Sequence, residues 1–186
     1  MDTLFGLPAH PFLVHIPIVL LPLSAVGVVL MALRPRWHRS YRWVVLTVGV
    51  VGALGATLAA SAGDALEGRV EAVEGRQAAA RWEHHASLGE TARSVALVYM
   101  VLLAAFVLVP WWLERRDSSR ATTPAGHSLG AAANTVARPP WERWARVAVT
   151  VLALAGGAAA VTTVIQAGHT GSRSVWEDYV HATNGG

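Results

Sequence analysis

The chain has 186 residues, 53% of them hydrophobic and 15% charged, with a formal net charge of +3 and no cysteine. That length suits one domain, and the scarcity of charge with a mean hydropathy of +0.40 points to a membrane protein rather than a water-soluble one. Without cysteine there is no disulfide, thiolate metal site, cysteine-held iron–sulfur cluster or covalent c-type haem attachment. Any metal or haem would be held by nitrogen, oxygen or methionine sulfur.

Four stretches meet the roughly 20 mostly apolar residues that a bilayer core requires: 12–33, 43–62, 92–113 and 145–168. The first is not read as a cleaved signal peptide, because it is long, Asp2 is the one charge before it, and Arg34, Arg36, Arg39 and Arg42 follow it. Pro11 suits a helix start. Pro17 and Pro22 lack the N–H that would bond the carbonyls of Leu13 and Ile18, so a kink is expected near His15, aiming its imidazole inward. The second span carries Gly49, Gly52, Gly55 and Ala56, and the fourth Ala153, Gly156, Gly157 and Ala160. Such small residues let membrane helices approach closely, and the expectation is that these two spans touch.

Between spans two and three, segment 65–83 places Leu66, Val70 and Val73 at helical spacing with Glu67, Glu71 and Glu74 on other faces. This predicts a short amphipathic helix over the outer end of the bundle. Segment 116–140 mixes Ser, Thr, Pro, Gly and Ala without periodicity and reads as a flexible cytoplasmic linker. Tryptophans gather at the predicted span borders as an interfacial belt.

Four spans put both termini on one side. The opposite side, taken as loops 34–42 and 114–144 with Arg146, holds ten arginines, and the terminal side five. The positive-inside rule therefore sends both termini out. His10, His15, Asp64, His84, His85, His169 and His181 then share the extracytoplasmic face, whereas His38 and His127 are cytoplasmic.

Titratable side chains at membrane borders are costly unless they pair, face water or bind something, so this grouping is the candidate site. His10 and His15 differ by about 140° on a regular helix and cannot both face one small ion, and His15 lies deeper. Adjacent His84 and His85 splay by about 100°, so one of them faces the bundle. His169 stands between Gly168 and Gly171, which allow close approach or end the helix. Asp64 could orient a ligand imidazole. Three readings stay open. Two of His15, His84 or His85, and His169 ligate haem b; or three or four of His15, His84 or His85, His169 and Asp64 hold zinc, copper or iron; or the imidazoles only satisfy backbone groups. No phosphate-binding loop, Ser/His/Asp arrangement or metalloprotease motif is present, and the sequence names no reaction.

The run Leu7-Pro8-Ala9-His10-Pro11-Phe12-Leu13-Val14-His15-Ile16-Pro17-Ile18 resembles the N-terminal signature of a bacterial membrane family, domain of unknown function 2231, with Ile16 in place of its usual phenylalanine. Gly63-Asp64, the histidine before span three, and Gly168-His169-Thr170-Gly171 with Val175-Trp176 also look like family positions. The resemblance implies a four-helix membrane domain, and relatives joined to Rieske-type domains imply electron transfer.

The expectation is an all-α, up-down-up-down four-helix bundle in the plasma (inner) membrane with both termini outside. It is a haem-binding or redox-associated subunit, with a structural or interaction subunit lacking a cofactor as the alternative and a divalent-metal-binding protein third. Its expected partners are the lipid bilayer and a redox protein or quinone, not nucleic acid.

Overall fold

The computed structural model describes residues 3–75, 82–121 and 139–184. A two-residue hairpin leads in: β1 (Thr3–Leu4) pairs antiparallel with β2 (Leu7–Pro8). Its turn residues Phe5 and Gly6 both have positive φ, 52° and 81°, the sign that a tight two-residue turn demands. Among the described residues five helices follow: α1 (His10–Leu13), α2 (His15–Leu33), α3 (Pro35–Glu74), α4 (Glu83–Ala121) and α5 (Pro140–Asn184).

Local chemistry sets several boundaries. Arg34, held extended by the proline after it, separates α2 from α3, and Pro35 then opens α3 where a missing N–H costs nothing. Gly75 ends α3 at φ 87°, a conformation that favours glycine, with its N–H on the Glu71 carbonyl at 3.0 Å. Helix α1 passes to α2 at Val14, three residues before Pro17.

Segments Pro35–Val73, Glu83–Ser118 and Pro140–Arg173, with His10–Leu33, are each long and apolar enough to cross a bilayer. At about 1.5 Å per residue, the 40-residue α3 is about 60 Å long against a hydrocarbon core of about 30 Å, so it extends well past the membrane. Residues 65–74 are the outer part of this same helix, not a separate one lying across the bundle. Of the predicted 65–83 element, 76–81 lie outside the described residues. Likewise α4 runs on to Ala121, and 122–138 of the expected linker lie outside the described residues.

Helix α2 packs on α3 and α5, and α4 packs on the same two. Helices α2 and α4 therefore stand on one diagonal of the bundle, and α3 and α5 on the other. The expected contact between spans two and four is replaced by packing of each on its neighbours. A Cβ at Gly52 would meet Leu20 and Leu21 of α2, and one at Gly157 would meet Tyr99 of α4 and Ala25 of α2. The small residues thus receive large side chains from adjacent helices. Tyr99, Leu21, Leu103 and Val107 form the buried centre, while Val19, Leu23, Leu54, Val98, Val101 and Val151 face outward. An apolar exterior around a core of small residues is what lipid, and not water, stabilises.

One buried polar pair ties the middle together. Ser24 Oγ donates to the Leu21 carbonyl at 2.8 Å, so the Tyr99 hydroxyl, 3.1 Å away, donates to Ser24 Oγ.

Candidate functional site: an imidazole-lined cavity

A cavity of about 450 Å³ opens at one end of the bundle, between the starts of α1 and α4 and the outer parts of α3 and α5. Its wall is mostly apolar, including Val14, Ile18, Val70, Ala86 and Val164, with His10 and His85 as its imidazoles and Asp64, Glu67 and Glu90 as its carboxylates. Glu90 pairs with Arg93 one turn along α4.

His10 and His85 come from the two chain segments on one diagonal and meet with ring centres 6.0 Å apart and planes at 85°. Each is anchored. His10 Nδ1 lies 2.8 Å from the Ala59 carbonyl, which can only accept, so Nδ1 carries the proton. The Thr170 hydroxyl directs its own proton to the carbonyls of Gln166 and Ala167. It therefore accepts from His85 Nδ1 at 3.4 Å, a long contact. His85 also hydrogen-bonds the Ala167 backbone, whereas the Ala59 bond leaves Nε2 of His10 turned away from its anchor, as in a ligating imidazole whose other nitrogen is held by an oxygen.

Glycine makes this approach possible. A Cβ at Gly171 would lie 2.8 Å from His85 Cε1, and one at Gly63 would lie 3.1 Å from His10 Nδ1. Of the two glycines beside His169, Gly171 therefore admits a neighbouring ring; neither ends the helix, which continues to Asn184.

The structure distributes the sequence-predicted residues unevenly. His85 lines the cavity. His84 and His169 are exposed, and Asp64 stands at the cavity edge, exposed, while the Ala59 carbonyl takes the orienting role expected of it. His15 is exposed too, its Nδ1 donating to the Pro11 carbonyl 2.7 Å away. The inward turn expected of His15 is not observed; His10, not His15, faces the bundle. Val14 between them keeps helical φ and ψ and its N–H bonds the His10 carbonyl, so the two rings diverge as helical spacing requires, one inward and one outward. The signal for His10 was Gly63, which faces it across α3. Among the described residues no group of three or more His, Asp or Glu side chains gathers as an ion site, whereas tetrahedral zinc takes four ligands, three of them from protein even at catalytic sites.

The other end has a different histidine. Pro110 within α4 has no N–H for the Phe106 carbonyl, and His38 Nε2 donates to that carbonyl at 3.1 Å, its ring edge-on to Phe106. His38 is thereby a structural residue that repairs a proline defect.

Four long apolar helices around a small-residue core, with a ligand-sized cavity at one end, define a multi-pass membrane protein. Over residues 6–184 the chain matches the family described as "Predicted membrane protein (DUF2231)". It belongs to that family. No curated protein and no solved structure matches it.

Proposed function

We propose that the protein is a haem-b-binding, redox-associated membrane subunit, up-down-up-down in the plasma membrane with both termini extracytoplasmic, and that His10 and His85 hold the iron. The observation that carries this reading is the facing pair itself: two anchored imidazoles from diagonally opposed segments, lining one apolar cavity. Two imidazole nitrogens on one metal, each at about 2 Å, stand about 4 Å apart. Ring centres lie somewhat further apart, which 6.0 Å accommodates. The cavity volume falls within the about 300–1,000 Å³ usual for cofactor sites. An added side chain at Gly89 would meet nothing within 4 Å, so that wall has room for a flat group.

When bound, haem would supply one-electron transfer close to the surface. The protein's part is to anchor both imidazoles, His10 through Ala59 and His85 through Thr170 and Ala167, and to exclude water with an apolar wall.

The test is the absorption spectrum of detergent-purified protein supplied with haem. A Soret band is expected, lost in His10→Ala and in His85→Ala and retained in His15→Ala and His169→Ala. A colourless wild type after haem loading, or equal retention in all four variants, would overturn the reading. A second reading rests on the same hydrogen bonds: imidazoles tied to Ala59 and Thr170 can serve as clamps of a structural subunit without a cofactor. That reading expects destabilised His10 and His85 variants and no Soret band in any of them.

A further inference from the structure

At the opposite end a second cavity, about 470 Å³, lies among Met31, Pro35, Phe106, Pro110 and Thr150 with the basic side chains of Arg36, His38, Arg39 and Arg146. We propose that this cavity is a headgroup site for an anionic phospholipid, whose phosphate is taken by Arg146, Arg36 and Arg39. The proposal does not depend on what fills the imidazole-lined cavity.

Charge points the same way. Arg42, Arg39 and Arg146 surround a single cavity carboxylate, Glu114, which is already claimed by Arg42 at 3.2 Å and more loosely by Arg39 at 3.9 Å. His38 also faces this group, but its Nε2–H is committed to the Phe106 carbonyl. Glu142, buried one turn before Arg146 on α5, is the other acid nearby. Arg146 Nη2, Arg42 Nε and Glu142 Oε2 are each buried without a hydrogen-bond partner, so the two nearby acids leave the basic cluster in excess. Arg146 lines the cavity together with Arg36 and Arg39, and a phosphate oxygen there would accept charge-assisted bonds from their guanidinium groups. The start of α3, at Pro35 and Arg36, forms part of the wall and adds the positive end of a 40-residue helix.

The apolar part of the wall selects a lipid over free phosphate. Met31, Ala32, Phe106 and Pro110 line the same cavity as the arginines, and Leu33 and Trp37 beside it are exposed. A phosphate with acyl chains attached would cover both surfaces at once. Basic pockets between transmembrane helices bind anionic headgroups by this combination.

The experiment is thermal unfolding of the delipidated full chain in neutral detergent, titrated with phosphatidylglycerol, phosphatidylcholine or inorganic phosphate. Phosphatidylglycerol is expected to raise the melting temperature saturably, with phosphatidylcholine and inorganic phosphate giving little shift at matched concentration. Arg146→Gln should weaken the phosphatidylglycerol midpoint about fivefold or more, as should the exposed pair Arg36→Gln with Arg39→Gln. Exposed Arg143→Gln on the same helix should leave the midpoint unchanged. Equal shifts from phosphatidylglycerol and phosphatidylcholine would overturn the proposal, as would equal loss in Arg143→Gln, which reports surface charge alone. An inorganic-phosphate response matching the lipid's would replace the lipid with a free anion. If Arg146→Gln does not fold, the Arg36 and Arg39 variant decides by itself.

Discussion

The His38–Phe106 bond gives the sharpest test of how this bundle tolerates proline. In a regular helix the N–H of residue 110 would bond the Phe106 carbonyl, and proline removes it. His38 Nε2 fills the gap from another helix at 3.1 Å, while its ring also packs edge-on against Phe106 with centres 5.1 Å apart. Changing His38 to phenylalanine keeps an aromatic ring there and deletes only the donor. The carbonyl then loses its partner, at a cost of about 1 kcal/mol, within the about 0.6–1.7 kcal/mol measured for polar contacts between membrane helices. In a Pro110→Ala background the helix supplies its own N–H, and the same His38→Phe change should cost close to nothing. The coupling between the two sites is therefore expected at about 1 kcal/mol. Reversible unfolding in mixed detergent–SDS micelles measures it, with tryptophan fluorescence as the readout because Trp43, Trp111 and Trp112 lie near that end. Any void left by removing the proline ring cancels in the cycle. Equal costs of His38→Phe in the two backgrounds would refute the reasoning and leave His38 as a packing residue only.

Ser24→Ala should destabilise by about 1–3 kcal/mol, because it strands the buried Tyr99 donor, whereas Tyr99→Phe leaves Ser24 bonded to Leu21 and costs less; the same unfolding assay ranks the two, and the opposite order would be a refutation. Gly171→Ala forces a methyl to within 2.8 Å of His85 Cε1 and should cost about 1–3 kcal/mol, most of it recovered when His85 is also alanine; additive losses would place the strain elsewhere. Gly89→Leu enters open space in the helical wall of the cavity. Its stability should match or exceed the wild type's, since glycine in a helix interior costs about 0.5–1 kcal/mol relative to alanine, while haem loading falls; unchanged loading would argue against this cavity as the site.

Much of this arrangement was legible along the chain, though unevenly. Spans 43–62, 92–113 and 145–168 each fall inside one helix and 12–33 across α1 and α2, because about 20 apolar residues without charge leave the backbone no alternative in lipid. The proline effects were legible for the same reason: a missing N–H is a covalent fact. The partners of the freed groups were not. Nothing local in α4 announces that a histidine 68 positions earlier will bond Phe106. His10 and His15 do diverge, as their helical angle requires, but which of them turns inward is set by the packing of α1 on α3 and not by depth along the span. The glycines of spans two and four were correctly read as close-packing positions, but matched to each other and not to the bulky side chains of adjacent helices.

Sequence alone determined the membrane class, the four spans, the absence of thiol chemistry and the set of histidines from which a site could be drawn. Those properties follow from side-chain chemistry and hydrophobic length, which hold wherever the chain sits. Tertiary structure decided that His10 and His85 meet while His15, His84 and His169 do not. It also decided that Arg146 lines a cavity with its Nη2 buried, and that His38 serves α4. Each of these depends on which helices share a diagonal, and that is set by packing between segments far apart in the chain.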